Sequence, residues 1–240
     1  MDEPIIVVGC PVQDREHIIG EYLQCISNLD YPKDRIIPCF FVNNTSDKTG
    51  QIILDWISNV NSDYKMIIYD RKDNVYKKRK DDQSRQKRDY TLFAVVRNHF
   101  LKLIKDNGID WDYLFSVDSD ILVQPDILTR LLSHQKSIVS ALVYNGLNWG
   151  QREYNYRVKK VTNGREGYCV YQHIPHNIFE VDVTGACYLI KREVIDAGVK
   201  YSSTRFGEDI GFCEAAKEKG FEIYCDPTLK PVHKLIGDGR

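Results

Sequence analysis

The first half of the chain is constrained most by a regular alternation of short apolar runs with segments of helical periodicity. The apolar runs have the length of buried strands, and they cover residues 5–9, 36–42, 64–69 and 111–117. The segments with apolar residues at helical spacing cover residues 18–26, 51–60 and 92–104. Asp14 is expected to cap the first of these helices. Strands that alternate with helices favour a mainly parallel sheet with helices on its faces, which predicts an α/β fold.

The second half is less regular but continues the α/β pattern. Its predicted elements are strands at residues 137–143, 179–190 and 221–224, a helix at residues 208–219, and loops with short hairpin strands at residues 148–176. The length of 240 residues fits one domain with a substantial core. We therefore predict a single domain, 1–240, with a boundary near residue 121 that separates a nucleotide-binding half, 1–121, from a second half, 122–240.

The charge and composition exclude several classes of partner. The formal net charge is −1, so the whole molecule shows no preference for nucleic acid or an anionic membrane. No apolar run approaches the roughly 20 residues that span a bilayer. The acidic start at Asp2 and Glu3 does not resemble a secretory signal, so we expect a cytoplasmic location and no transmembrane segment. The seven cysteines include no C-x-x-C pair, which argues against a zinc knuckle.

A basic segment at residues 71–89 interrupts the alternation. It holds nine Lys or Arg residues against four Asp residues. Such a run is typical of a solvated loop. The alternative is a lid that folds over a negatively charged ligand when the ligand binds.

The sharpest local feature is the sequence Asp118-Ser119-Asp120, which directly follows an apolar strand. Ligands of open parallel sheets bind beyond the carboxyl ends of the strands. Two carboxylates one residue apart are costly unless a positive charge lies beside them. A hard divalent ion that also holds substrate phosphates supplies that charge. The alternative is helix capping, by Asp120 at residue 121 or by Asp126 at residue 127.

Two later features support a catalytic site. Glu208 and Asp209 open the predicted helix at residues 208–219, where a carboxylate either complements the helix dipole or serves as a general base. His233 follows a strand near the end of the chain, and its imidazole suits a mixed oxygen and nitrogen site for manganese.

Together these features resemble GT-A glycosyltransferases, especially the family 2-like enzymes, with further likeness to fungal mannan-polymerase subunits and collagen galactosyltransferases. The motifs occur in chain order. They are Pro11, Val12, Asp14 and Arg15 in the first loop, Asn43 and Asn44 after the second strand, Arg97 and Asn98 on a helix, the D-x-D motif Asp118-Ser119-Asp120, Thr184-Gly185-Ala186, Gly207-Glu208-Asp209, and His233.

The resemblance implies a GT-A (Rossmann-like) domain that moves a sugar from a nucleotide diphosphate, with a UDP-sugar favoured, to a hydroxyl of a carbohydrate, glycan or protein. It implies that Mn²⁺ or Mg²⁺ is held by Asp120 and His233, with Asp118 contacting the metal or the ribose. Asp209 is then the base of an inverting reaction, with Glu208 beside it. The resemblance also implies that the nucleotide sugar is contacted by Pro11, Val12, Asp14, Arg15, Asn43, Asn44, Arg97, Asn98, Asp118, Ser119, Asp120 and Gly185.

Three other interpretations remain open. The first is a retaining transferase that uses GDP-mannose or a UDP-sugar, because the fungal enzymes that the chain resembles are retaining. A non-catalytic nucleotide-sugar-binding module is the second, because a fold does not fix a function. The third concerns the aromatic residues of the second half, Trp149, Tyr154, Tyr156, Tyr168 and Tyr171. They form either acceptor contacts or the packing of a hairpin.

Overall fold

The computed structural model describes residues 3–73, 89–148, 151–162 and 165–234. Most of the basic segment at residues 71–89, and Trp149, lie outside the described residues, and the expectations for them stay predictions.

Fourteen strands and six helices follow one another along the described chain. The strands are β1 (Ile6–Val12), β2 (Ile36–Asn43), β3 (Ile68–Lys72), β4 (Tyr113–Val117), β5 (Ile121–Leu122), β6 (Ile138–Ala141), β7 (Tyr144–Asn148), β8 (Gln151–Tyr154), β9 (Val158–Thr162), β10 (Arg165–Cys169), β11 (Phe179–Val181), β12 (Cys187–Lys191), β13 (Ile223–Asp226) and β14 (Val232–His233). The helices are α1 (Ile19–Ser27), α2 (Thr49–Val60), α3 (Tyr90–Asp106), α4 (Ile127–Ser133), α5 (Arg192–Asp196) and α6 (Glu208–Glu218).

Eight of these strands form the central sheet, in the order β11-β13-β6-β12-β4-β1-β2-β3. The pairs β4–β1, β1–β2, β2–β3 and β6–β13 are parallel, whereas β12 runs antiparallel to both β4 and β6. Strands β4 and β6 therefore point the same way, and the carboxyl ends of β1, β2, β4, β6 and β13 lie along one edge. The predicted α/β fold with a mainly parallel sheet is confirmed.

Alternate residues of the buried strands face opposite sides of the sheet, and each side carries its own core. In β1, Val7 packs in the core that holds α3, α5 and α6, whereas Ile6 and Val8 pack in the core that holds α1, α2 and α4. All three side chains are fully buried. The near-continuous apolar strands of the sequence thus result from burial on both faces.

Four local predictions need correction. Helix α1 begins at Ile19 without a side-chain cap, because the carboxylate of Asp14 accepts hydrogen bonds from Ser46 instead. The third strand begins at Ile68, not at residue 64, since the Tyr64 ring packs against Trp56. The predicted strand 179–190 is two strands, β11 and β12. Asp120 caps no helix, because a strand, β5, follows it.

The predicted hairpins of the second half are confirmed, as β7 pairs with β8 and β9 with β10. Among the described residues, no helix is long and apolar enough to cross a membrane.

Candidate active site

Three neighbouring loops at the carboxyl edge of the sheet carry many of the predicted site residues. Residues 13–18 follow β1, residues 44–48 follow β2, and residues 118–120 follow β4. Because β1 lies between β4 and β2 in the sheet, the three loops are adjacent. Open α/β sheets bind their ligands at such an edge.

The first two loops are tied to each other by hydrogen bonds. The amide of Arg15 donates to Oγ1 of Thr49 at 2.7 Å, and the amide of Ser46 donates to Oδ1 of Asp14 at 2.9 Å. Asp14 and Asn44 both adopt left-handed backbone conformations, with φ of 48° each. Asp and Asn tolerate that region better than other non-glycine residues. The loops are thus held in one arrangement by the protein itself.

Four other predicted site residues are held by packing in the core or by hydrogen bonds to the backbone. Pro11 and Val12 end β1, and Val12 is buried in the core. Asn43 is buried at the end of β2. The side-chain amide of Asn98 donates to the carbonyl of Tyr201 at 2.8 Å, and its oxygen accepts from the N–H of Tyr201 at 2.9 Å. The side chain of Asn98 therefore holds the segment that leads to α6.

His233 reaches Asp120 through a two-stranded ladder. Strand β14 pairs antiparallel with β5, which places His233 opposite Ile121. The amide of Lys234 also donates to the carbonyl of Asp120 at 2.9 Å. As a result, Nε2 of His233 lies 3.7 Å from Oδ1 of Asp120.

The outer contacts of this pair fix its orientation. Nδ1 of His233 lies 3.0 Å from Oδ1 of Asn145 and is placed to donate a hydrogen bond to it, which turns Nε2 towards Asp120. The guanidinium of Arg15 donates to Oδ2 of Asp120 at 3.1 Å. Burial opposes ionisation of Asp120, but the interactions with His233 and Arg15 outweigh it and lower its pKa.

Arg97 gathers a second group of carboxylates. Its guanidinium donates from Nη2 to Oδ1 of Asp118 at 3.0 Å and from Nε to Oε1 of Glu208 at 3.1 Å. The same Nε lies 3.7 Å from Oδ1 of Asp209. The Arg97 side chain is only 12% exposed and packs over the ring of Tyr201. One buried cation thus holds three acidic residues that come from two distant parts of the sequence.

Asp209 differs from its neighbour Glu208. Glu208 is buried and engaged by Arg97, whereas Oδ1 of Asp209 is buried without a hydrogen bond from any described residue. The other oxygen of Asp209 lies against the backbone of Gly185, where a Cβ atom would come within 2.4 Å of it. The carbonyl of Gly185 accepts a hydrogen bond from Asn155 at 2.9 Å. The Thr184-Gly185-Ala186 motif therefore provides the space that the Asp209 carboxylate occupies.

The position of Asp209 sets its protonation. Burial raises the pKa of Asp209 to about 8, and the charges of Glu208 and Asp118 add to the rise although Arg97 opposes it. The pKa of Asp118 is raised in the same way by burial, against the charge of Arg97. Asp209 lies in the first turn of α6, where the helix dipole favours an ionised carboxylate. In the free protein, loss of solvent and the two nearby carboxylates favour the protonated form of Asp209.

The structure therefore brings the predicted residues together in two adjoining groups. Asp120, His233 and Arg15 form one, and Arg97, Asp118, Glu208 and Asp209 form the other; Asp118 and Asp120 join them along the chain. Sequence reasoning missed Asn145 and Asn155. Each is an Asn within a Tyr-rich stretch, and only the contacts of its side chain distinguish it from a surface residue.

Solved structures with a similar fold include a mannosyltransferase and a protein that binds a nucleotide sugar. A mannosyltransferase from Pyrobaculum calidifontis, in complex with GDP-Man and Mn²⁺, matches 99% of this chain and 59% of that chain with a TM-score of 0.62 at 13% identity. S. aureus TarS (residues 1–349) in complex with UDP-GlcNAc matches 96% of this chain and 59% of that chain with a TM-score of 0.58 at 15% identity. The fold is that of a GT-A glycosyltransferase.

The family follows from the sequence. The model of the glycosyltransferase family 25 N-terminal domain matches residues 3–151, which is more than half of the chain. The chain belongs to glycosyltransferase family 25. This is more specific than the family 2-like grouping, and the predicted likeness to collagen galactosyltransferases is confirmed.

Two relatives illustrate the range of this family. Procollagen galactosyltransferase 1 of Danio rerio is 26% identical over 142 residues, which is 58% of this chain and 23% of that protein. The inactive glycosyltransferase 25 family member 3 of Mus musculus is 22% identical over 142 residues, 58% of this chain and 24% of that protein. The match thus spans about a quarter of the length of either relative, and the family includes a member described as inactive.

Proposed function

We propose that this chain is a catalytic GT-A domain that transfers a sugar from a nucleotide diphosphate to an acceptor hydroxyl. Residues 1–121 hold the nucleotide sugar, and residues 122–240 contribute the acceptor side. The reaction depends on a divalent metal and inverts the anomeric centre. Asp209 is the general base.

The observation that carries the proposal is the environment of Asp209. A base needs an oxygen that is not engaged by the protein and a pKa near the working pH. Asp209 meets both needs better than Glu208, because Arg97 approaches its Oδ1 only to 3.7 Å without a hydrogen bond, its side chain is 29% exposed, and burial raises its pKa to about 8. Glu208 lacks the first property, since Arg97 binds its carboxylate at 3.1 Å.

The chemistry is a single displacement. The acceptor oxygen forms a bond with the anomeric carbon while the bond from that carbon to the diphosphate oxygen breaks, and the electron pair leaves with the diphosphate. The acceptor proton passes to Asp209. The Arg15 side chain is 28% exposed beside Asp120, so its guanidinium can also pair with an anionic oxygen of the donor.

The described residues fit a divalent metal at Asp120 and His233. Oδ1 of Asp120 and Nε2 of His233 lie 3.7 Å apart, and two metal–ligand bonds of about 2.1 Å span up to about 4 Å. Among the described residues, no cluster of three or more His, Cys, Asp or Glu side chains could hold a metal ion alone. Two protein ligands agree with an ion that completes its shell with substrate phosphates. When bound, the ion would stabilise the charge of the leaving diphosphate as a Lewis acid.

Asp118 has a different place in this scheme. Its Oδ1 is bound to Arg97 at 3.0 Å, so its carboxylate is directed towards the acidic group that includes Asp209. We propose that Asp118 contacts the ribose, or the metal through water, and that Asp120 and His233 make the direct metal contacts.

A UDP-sugar is the favoured donor and Mn²⁺ the favoured metal. The resemblance of the motifs supports this choice, as do the UDP-GlcNAc complex of S. aureus TarS and the Mn²⁺ complex of the P. calidifontis enzyme. The second candidate is a retaining transferase that uses GDP-mannose or a UDP-sugar, and the GDP-Man in the latter complex supports GDP-mannose as its donor. The inactive relative in mouse favours a third, a nucleotide-sugar-binding module without turnover.

A screen of nucleotide sugars for slow hydrolysis tests the function without knowledge of the acceptor. We expect Mn²⁺-dependent release of UDP, and no release of UDP or GDP from any donor would contradict catalysis. Asp209→Asn should lower transfer by about 10² to 10⁴-fold while donor affinity stays nearly constant, because a general base acts in the transition state. Unchanged transfer, or a product of retained configuration by NMR, would exclude Asp209 as the base of an inverting reaction.

Calorimetry with UDP tests the metal site separately. UDP should bind with Mn²⁺ and much more weakly with a chelator. Asp120→Asn should weaken this binding more than Asp118→Asn, since only Asp120 lies beside His233. Equal affinity with and without metal would contradict the metal assignment.

A further inference from the structure

A cleft of about 780 Å³ lies beside the candidate active site, within the size range of ligand sites in proteins. Its walls come from the residues that follow β6 and β13, from the β7–β8 hairpin and from the loop at residues 174–176. Because β6 and β13 point the same way as β4, the cleft opens at the same edge of the sheet as Asp118 and Asp120.

The cleft is both aromatic and basic. Tyr144 and Tyr154 stand on its wall with their ring centroids 5.8 Å apart. Arg152, His176 and Lys230 also line it, and its lining contains no acidic residue. Within the described part of the chain, no ion pair engages Arg152 or Lys230. The two cations are therefore available to a negatively charged ligand.

The walls of the cleft continue directly into the catalytic groups. Tyr144 precedes Asn145, which orients His233. Tyr154 precedes Asn155, whose amide donates to the carbonyl of Gly185 at 2.9 Å. Gly185 in turn lies against Asp209. A ligand in the cleft thus lies on elements that hold both the candidate metal ligand and the candidate base.

We propose that this cleft binds an acidic oligosaccharide, a sugar chain that carries carboxylates on its rings, as part of the acceptor. The proposal rests on the function proposed above. Tyrosine rings offer flat surfaces to the C–H faces of sugars, and Arg and Lys pair with carboxylates.

The placement of the cations favours such a chain over a single phosphate group. Arg152 lies on a hairpin strand, His176 in the loop at residues 174–176, and Lys230 in the loop after β13. None of the cleft residues belongs to a helix N-terminus or a glycine-rich loop, the two elements that most often hold a phosphate. The charges of Arg152 and Lys230 come from separate segments, which suits a ligand whose own charges are spread along its length.

The test uses a hexamer of galacturonic acid and the same hexamer as its methyl ester, which has the same rings without the charges. Binding is measured by calorimetry at physiological salt. Two exposed charge pairs of at most about 1 kcal/mol each set a ceiling of about 30-fold, so the acid should bind severalfold and up to about 30-fold more tightly than the ester. The double variant Arg152→Gln/Lys230→Gln should abolish this difference.

A matched control removes two exposed lysines away from the cleft, Lys105→Gln/Lys160→Gln, and should keep the preference for the acid. Circular dichroism checks that each variant is folded. If the double variant does not fold, the single variants Arg152→Gln and Lys230→Gln replace it in the binding measurement, and each should reduce the preference for the acid. Equal binding of acid and ester by the wild type, or equal loss in the control, would overturn the proposal. Donor hydrolysis by the wild type without oligosaccharide reports the proposed function separately, so the two failures are distinguishable.

Discussion

Replacement of Asp209 by Asn should make the protein more stable near neutral pH although it removes the candidate base. Burial raises the pKa of Asp209 from 3.8 to about 8, so the folded chain binds this proton more tightly than the unfolded chain does. The stabilising contribution is complete below the unfolded pKa and is lost as the pH rises towards about 8. Asn is neutral at every pH and carries no such cost.

The size of the effect follows from the pKa difference and the exposure of the carboxylate. One pKa unit corresponds to about 1.4 kcal/mol, and about three units separate pH 7 from the unfolded pKa. The destabilisation that Asp209 causes at pH 7 is therefore at most about 4 kcal/mol. The side chain of Asp209 is 29% exposed, so water screens part of this cost. We expect a gain of about 1–2 kcal/mol in the free energy of unfolding at pH 7.

Urea denaturation of wild type and Asp209→Asn at pH 4 and pH 7 measures this difference. In thermal melts the gain at pH 7 corresponds to a rise of about 2–8 °C in Tm. Asp226→Asn is a control of opposite sign. Burial opposes ionisation of Asp226, but hydrogen bonds from Thr228 and His134 outweigh it and lower its pKa. Its contribution is present above the unfolded pKa and is lost as the pH falls, so this variant should be destabilised at pH 7.

The reasoning would be refuted by an Asp209→Asn variant that is no more stable than wild type at pH 7. A gain of equal size at pH 4 and pH 7 would refute it as well, because the cost that the substitution removes grows only as the pH rises above the unfolded pKa of the carboxylate, 3.8. In either case Asp209 would not be the electrostatically strained residue that its surroundings indicate.

Three further predictions concern the site. Gly185→Ala should lower kcat by about 10²-fold, because the new Cβ would lie 2.4 Å from Oδ2 of Asp209. Gly167→Ala is the control, since a Cβ there meets no atom within 4 Å, and it should leave kcat unchanged in the same assay. The rate of transfer should rise with pH and level off near the pKa of Asp209, about 8, since only the ionised base accepts a proton; a pH-independent rate between about pH 6 and 8 would contradict this. Asn145→Ala should weaken Mn²⁺ binding by about 10 to 100-fold, as it removes the hydrogen bond that orients His233, and unchanged Mn²⁺ affinity by calorimetry would argue against that role.

Much of the fold could be predicted because its signals are local. The apolar runs that became β1, β2 and β4 are buried on both faces, so each reads as a strand without knowledge of its partners. The sequence predicts a helix at residues 208–219, and α6 ends one residue earlier, at Glu218. Where a tertiary contact competed, as at Tyr64, the local pattern misplaced the start of the strand.

The candidate site was predictable only as a set of residues. The position of Asp118 and Asp120 after a strand, and of Asp209 at the start of a helix, places these carboxylates at the ends of elements that converge at one edge of a parallel sheet. The pattern does not state which carboxylate meets which cation. Asp14 shows the difference, since its sequence position suits a helix cap and its side chain binds Ser46 in another loop.

The sequence by itself determined the α/β class, the order of the elements and the chemical types of the site residues, because these depend on periodicity and on the residue types at the end of each strand. Only the tertiary structure decided their pairing. Arg97 and Glu208 are 111 positions apart, and His233 meets Asp120 through a ladder of two short strands. The raised pKa of Asp209 and its contact with Gly185 arise from burial among groups that are distant in sequence, and such burial is a property of the packed fold.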